Sequence, residues 1–207
     1  MPTLSSARRV AQSRNGSSSD KREIISKAAV TVFAQRGFFN AQVADVARAA
    51  GVASGTVYLY FRSKDEILTS IFERTMKEGI SEGRQALEGV TDPVERLRSL
   101  ARLHLQRLGR DRDLAVVFQI ELRQSTKFME QLSSSQLRAY LGQLRDAVSD
   151  GQASGAFTTR INSTLVAKAL FGALDEMATN WILSKRRYDL ASEADAVVDL
   201  FIHGLAT

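Results

Sequence analysis

Apolar residues recur at helical spacing along almost the whole chain, and no stretch keeps the apolar–polar alternation of a half-buried strand. The pattern predicts an all-α protein of about nine helices. Residues 1–19 are rich in Ser, Arg and Gln and poor in apolar side chains, so they read as a flexible basic tail. Asp20 with Glu23 makes a capping-box-like start to a first helix, with Ile24, Ile25, Ala28, Val32 and Phe33 as its stripe and Gly37 as its stop. Phe38 and Phe39 are expected in a small core beside it. A second helix, 42–50, buries Val43, Val46, Ala47 and Ala50 and ends at Gly51, since only glycine takes positive φ without steric cost. A third, 54–61, has Ser54 as its cap. Ser63 and Glu66 form a second box and launch a fourth helix reaching about Leu87, with Ile67, Leu68, Ile71 and Phe72 inward.

The remainder continues in the same period. Asp92-Pro93 with Glu95 opens a fifth helix that runs through Leu97, Leu100, Leu103 and Leu105 to Gly109. A short sixth helix covers 113–122, a seventh 127–153 before Gly155, an eighth 162–184 and a ninth 190–205. Gly79 and Gly83, one turn apart in the fourth helix, mark either a hinge or a close helix contact.

Two short helices meeting at Gly51, the second presenting Thr56, Tyr58 and Tyr60 outward, form a helix-turn-helix. Its second helix fits the roughly 12 Å major groove of double-stranded DNA. Charge placement agrees. The chain carries +5 overall, but ten Lys/Arg face three Asp/Glu through residue 64, against 18 and 20 in the rest. A basic head on a mildly acidic body suits a protein that meets phosphates with one end. The expected organisation is therefore a tail over 1–19, a DNA-binding domain over 20–64 and a helical body over 65–207. Within the head, Thr56, Tyr58 and Tyr60 are candidates for base and backbone contacts, and Ser54 and Gly55 permit close approach. Thr31 and Gln42 border the backbone, while Val57 and Phe61 belong to the core. Arg48 is either a phosphate contact or a solvated charge, and Arg8, Arg9 and Arg14 are either a minor-groove arm or plain tail.

Composition narrows the chemistry. There is no cysteine, so disulfides and thiolate metal sites are excluded. No run of about eighteen apolar residues and no signal-peptide pattern occurs, so a soluble cytoplasmic protein is expected. The two histidines, His104 and His203, are far apart in sequence and read as structural, and no nucleophile elbow or phosphate loop is present. A binding protein without metal or cofactor is expected, not an enzyme.

The run Gly51-Val-Ala-Ser-Gly55-Thr-Val-Tyr58-Leu-Tyr60-Phe61, followed by Lys64, resembles the signature of the TetR family of one-component repressors. The resemblance implies a helix-turn-helix domain over 20–64, in which Lys64 clamps a phosphate, and an effector-binding and dimerisation domain over 65–207. It implies a homodimer through the eighth and ninth helices, where small and apolar residues such as Ala169, Gly172, Ala173, Val197 and Phe201 crowd together. Two heads in successive major grooves would then read a palindromic operator.

A second resemblance, carried by Leu114–Ser125, Phe171–Ile182 and Tyr188-Asp-Leu190, is to the acyl-CoA-responsive TetR-type repressors of fatty-acid degradation. It implies a long-chain fatty acyl-CoA as effector. Leu103, Phe118, Leu122, Phe171, Leu174 and Trp181 then either line an apolar tunnel or form plain core. Among the polar set Gln119, Glu121, Arg123, Asp175 and Asn180, Arg123 either meets a polar part of the effector or pairs with Asp175 or Glu176. Arg107, Arg110, Lys185, Arg186 and Arg187 are candidate cations for the CoA head. The fourth helix is the expected lever between body and head. The competing reading is a TetR-type regulator of efflux or other genes answering a different hydrophobic or cationic molecule, with Trp181, Asp175 and Glu176 as its cage. Repression and activation both remain open.

Overall fold

The structure, a computed structural model, describes the backbone of residues 4–124 and 135–205 and the side chains from residue 20 onward within them. The helices are α1 (Leu4–Arg36), α2 (Val43–Ala49), α3 (Ser54–Tyr58), α4 (Lys64–Ala86), α5 (Pro93–Arg110), α6 (Arg112–Val116), α7 (Ser135–Ala153), α8 (Ser163–Leu183) and α9 (Ala194–Leu205). Among the described residues every regular element is helical, and no helix is long and apolar enough to cross a membrane.

Three expectations about boundaries change. α1 extends N-terminal of Asp20, which is therefore an interior position and not the helix start. The side chains of the 1–19 tail, Arg8, Arg9 and Arg14 among them, lie outside the described residues, as does the expected start of the seventh helix at 127. The sixth helix does not stay α-helical: α6 passes into a π turn, Val117–Glu121, and a 3-10 turn, Leu122–Gln124. A 3-10 turn, Leu190–Glu193, likewise precedes α9.

The chain divides into two compact units between Ile71 and Phe72, inside α4 rather than at Lys64. In the first unit, Ile25, Ala29 and Phe33 of α1 pack with Val46 and Ala47 of α2, Val57 of α3 and Ile67, Leu68 and Ile71 of α4; Phe61 completes this core. The α2 terminus shows why glycine is needed at 51. Gly51 has φ +66°, its N–H reaches Arg48 O at 3.2 Å, and the next N–H, of Val52, reaches Ala47 O at 3.0 Å. That pair of bonds is a Schellman closure, and it aims the chain into α3.

In the second unit α5, α7, α8 and α9 enclose Leu97, Leu105, Leu144, Val148, Leu170, Leu174 and Val198. The start of α5 is capped as the sequence suggests: Asp92 accepts from Val94 and Glu95 amides at 3.4 and 3.2 Å, with Pro93 at the first position. At α8 the cap is Asn162, not singled out in the sequence, which accepts from Thr164 at 2.9 Å. A neutral or anionic cap of this kind contributes about 1 kcal/mol.

Candidate functional site

In the first unit α3 is only five residues long, and Ala53, not Ser54, stands at its cap position without a side-chain bond. Ser54 is the first helical residue, exposed with Gly55, while Thr56 is half-buried. Tyr58 is 56% exposed at the end of the helix. Tyr60 falls beyond it, in the turn that Arg22 pins by donating to Tyr60 O at 3.0 Å and lying 4.4 Å over the Phe61 ring. Gln42, Ser54, Tyr58 and Lys64 come together around one shallow groove with Ala41, Val43 and Ala44. Thr31 lies half-buried on α1 and does not line that groove. Arg48 is held by Asp45 at 3.4 Å, beside a second arginine, Arg36, at 3.0 Å.

Lys64 makes its contacts within the first unit. Its ammonium donates to Phe38 O at 2.5 Å, Ala41 O at 2.8 Å and Phe39 O at 3.1 Å, and it lies 4.5 Å over the Phe38 ring. A lysine has three donors, and here all three go to backbone carbonyls of the α1–α2 connection. The residue is a strut that ties down the connection before α2. Phe39, expected in the core, is instead 59% exposed.

The second unit contains a cavity of about 430 Å³. Its wall is largely apolar: Phe72 and Met76 of α4, Leu108 of α5, Leu114 of α6, Phe118 and Leu122 of the turns that follow, Leu137 of α7 and Phe171 of α8. Gly79 also faces it. A Cβ there would lie 3.3 Å from Tyr140 and 3.5 Å from Arg107, and at Gly83 it would lie 2.4 Å from Gln143 Oε1. The two glycines therefore serve close packing of α4 against side chains of α5 and α7.

Polar groups are gathered at one place in this wall. Asp175, on α8, accepts from Gln119 Nε2 at 2.7 Å and from the Arg123 guanidinium, and His104 Nε2 stands 3.6 Å away. Gln119, in the π turn, and Arg123, in the 3-10 turn after it, are four residues apart and reach the same carboxylate. Burial pushes the Asp175 carboxyl up, but His104, Gln119 and Arg123 together outweigh it and hold the group below the ordinary carboxylate range. His104 Nδ1 meets the Tyr140 hydroxyl at 2.8 Å, and burial raises that phenol well above its ordinary value. Arg107 is matched by Glu82 at 2.5 Å and donates to Thr75 O at 3.0 Å.

Of the residues expected at a ligand site, Phe118, Leu122, Arg123, Phe171 and Asp175 line the cavity. The remaining three lie elsewhere. Leu174 is fully buried in the body's core, Leu103 is half-buried on α5, and Trp181 belongs to the same core. Trp181 donates from Nε1 to Tyr188 O at 3.0 Å, and Arg112 sits 5.0 Å over its ring. Arg107 and Arg110 reach the cavity wall, whereas Lys185, Arg186 and Arg187 do not. His104 and Tyr140 were not singled out as ligand residues, because an isolated His in a leucine-rich helix carries no local signal of the partners that folding brings to it. Among the described residues no cluster of His, Asp and Glu is placed to hold a metal.

Comparison with known proteins matches residues 25–71 to the family model described as bacterial regulatory proteins, tetR family. Residues 72–204 match the C-terminal region of YsiA-like proteins. The fatty acid metabolism regulator protein of Bacillus subtilis (strain 168) is 34% identical over 178 residues, covering 86% of this chain and 92% of that protein. Among solved structures, the fatty acid degradation regulator FadR from Bacillus halodurans superposes with a TM-score of 0.84 at 37% identity, covering 89% of this chain and 96% of that one. FadR from Bacillus subtilis in complex with stearoyl-CoA gives a TM-score of 0.83 at 33% identity, covering 88% and 98%.

Proposed function

The chain belongs to the tetR family of bacterial regulatory proteins, and we propose that it represses genes of fatty-acid degradation as an operator-bound homodimer that a long-chain acyl-CoA releases. The observation that carries the ligand class is the cavity, a largely apolar chamber of about 430 Å³ with a polar cluster around Asp175 and the cations Arg107 and Arg110 in its wall. Each methylene of an acyl chain taken from water into such a wall contributes about 0.8 kcal/mol, an upper bound that ordering of chain and protein reduces. The likeness to a regulator solved with stearoyl-CoA supports the same ligand class.

Dimerisation through α8 and α9 is supported by their outer faces. Leu165, Ala169, Gly172 and Leu183 form an exposed stripe on α8, and Leu200 and Gly204 are exposed on α9. A Cβ on Gly172 or Gly204 would meet nothing within 4 Å of its own chain. Small residues that their own chain does not require suit close approach by a second copy across a two-fold axis. Two heads so paired would read a palindromic operator.

Coupling requires that the effector bind the DNA-incompetent arrangement more tightly than the competent one, since equal affinity shifts nothing. α4 is the natural carrier. It begins at Lys64, the strut of the head, and its Phe72, Thr75, Met76, Gly79 and Glu82 stand on the cavity wall. Any repacking of that wall by an acyl chain acts on the same continuous helix. A hundredfold loss of operator affinity needs about 2.7 kcal/mol of coupling. The cationic-ligand reading loses support, because Asp175 is already paired with Arg123 and Trp181 lies in the core.

Calorimetric titration of the purified protein with acyl-CoAs from lauroyl to stearoyl, and with free CoA, tests the ligand class. Saturable binding of the long acyl-CoAs with a negative heat-capacity change is expected, and no comparable binding of CoA. Absence of binding across the acyl series would remove the assignment.

A further inference from the structure

Asp175 and Arg123 balance one another's charge in the cavity wall, on which Arg107 and Arg110 also stand. Asp175 is only 8% exposed. One of its oxygens accepts from Gln119 and the other from Arg123. Arg123, by contrast, has a side chain 45% exposed, and a guanidinium carries five N–H donors, of which the bond to Asp175 uses one.

We propose that Asp175 determines which acyl linkage the cavity accepts: by neutralising Arg123 it admits a long chain ending in a neutral thioester or amide and refuses one ending in a carboxylate. The proposal rests on the reading of this cavity as an acyl-CoA site. A neutral carbonyl oxygen accepts from a further N–H of Arg123, or from His104 Nε2, and leaves the ion pair intact. His104 Nε2 is buried and has no hydrogen-bond partner in the protein, although it lies within 3.6 Å of Asp175. A fatty-acid carboxylate gains the full charge of Arg123 only by displacing Asp175. That leaves a buried carboxylate without its cation, or two carboxylates crowding one cation, and both arrangements are strongly unfavourable. Protonation offers no easy escape, since the surroundings of Asp175 favour its charged form. The effector class is thus an acyl chain whose carboxyl has already been activated, which places the sensor after an acyl-activating reaction.

The test uses the full chain and three ligands in calorimetry: palmitoyl-CoA, the palmitoyl thioester of N-acetylcysteamine, and palmitate kept below its micellar concentration. The second and third both lack the nucleotide head and differ chiefly in charge at the carbonyl end. The wild-type protein should bind the neutral thioester at least about tenfold more tightly than palmitate. Asp175→Asn should close most of that gap by strengthening palmitate binding, and adding Arg123→Gln to it should open the gap again. Equal affinity of the wild-type protein for palmitate and the neutral thioester would overturn the proposal without reference to any variant, so misfolding of a variant cannot shelter it. An Asp175→Asn protein that still binds palmitoyl-CoA but leaves the gap unchanged would overturn it as well. Failure of the wild-type protein to bind either thioester would instead bring down the acyl-CoA reading itself, and this proposal with it.

Discussion

Lys64 shows how a family-typical residue takes its meaning from its surroundings. With its ammonium among three carbonyl oxygens, it stabilises the connection before α2. Lys64→Ala should destabilise the first unit by about 1 kcal/mol or more, since it removes three charge-assisted bonds to part-buried and exposed carbonyls that water can partly replace. Denaturant unfolding measures that loss. The salt dependence of operator binding separates this from a phosphate contact: the logarithmic slope should stay near the wild-type value, whereas loss of a phosphate contact lowers it by about one. Tyr58→Ala should do the opposite, leaving stability unchanged and weakening operator binding. Trp181 was legible only as a large aromatic on an apolar face, which describes a tunnel wall and a core equally well. Its bond to Tyr188 O places it in the core, so Trp181→Ala should cost about 3–5 kcal/mol of stability, read by denaturant unfolding, with little effect on ligand selectivity. Asp175 adds a pH signature. Its folded carboxyl lies below the ordinary range, so the stability it contributes is fully present above about pH 4 and is lost as pH falls through its lower folded value. The difference in Tm between wild type and Asp175→Asn should therefore shrink on acidification, and a difference constant with pH would contradict the charge assignment.

At the scale of elements, periodicity and caps made most helices readable, because Asp92 and Gly51 act through bonds to neighbours in sequence. What could not be read was the register break after Val116. The break carries Gln119 and Arg123, whose bonds go to Asp175 of another helix, and no local residue signal marks it. The same limit applies to Gly79 and Gly83, where spacing allowed hinge or close packing and only the facing Tyr140, Arg107 and Gln143 decide. Gly151 of α7 is tighter still, since a Cβ there would lie 2.1 Å from the Phe157 ring. Gly151→Ala should cost about 1–3 kcal/mol through overpacking, while Gly172→Ala should leave the folded chain undisturbed. Thermal melting of the two variants side by side checks the contrast.

On the scale of the whole molecule, the proposed function depends on a second copy and on DNA. Leu165 and Leu200 are 60% and 75% exposed on the faces assigned to dimerisation. The paired change Leu165→Glu with Leu200→Glu should yield folded monomers in sedimentation velocity and should weaken operator binding, because one head alone makes few base contacts. The basic head was legible from charge counting and the helix-turn-helix from its glycines, whereas the cavity was legible only through resemblance, which named Phe118, Leu122, Arg123, Phe171 and Asp175 of its wall and missed the rest. Its wall is assembled from helices spread between Phe72 and Asp175, and nothing local in the sequence records that convergence. The central claim is that filling this cavity with an acyl-CoA releases DNA. The most direct measurement is fluorescence anisotropy of the protein on its own upstream intergenic DNA, titrated with long-chain acyl-CoAs and with free CoA. Tight binding that long-chain acyl-CoA reverses and free CoA does not is the predicted result; tight binding that persists at saturating acyl-CoA would contradict it.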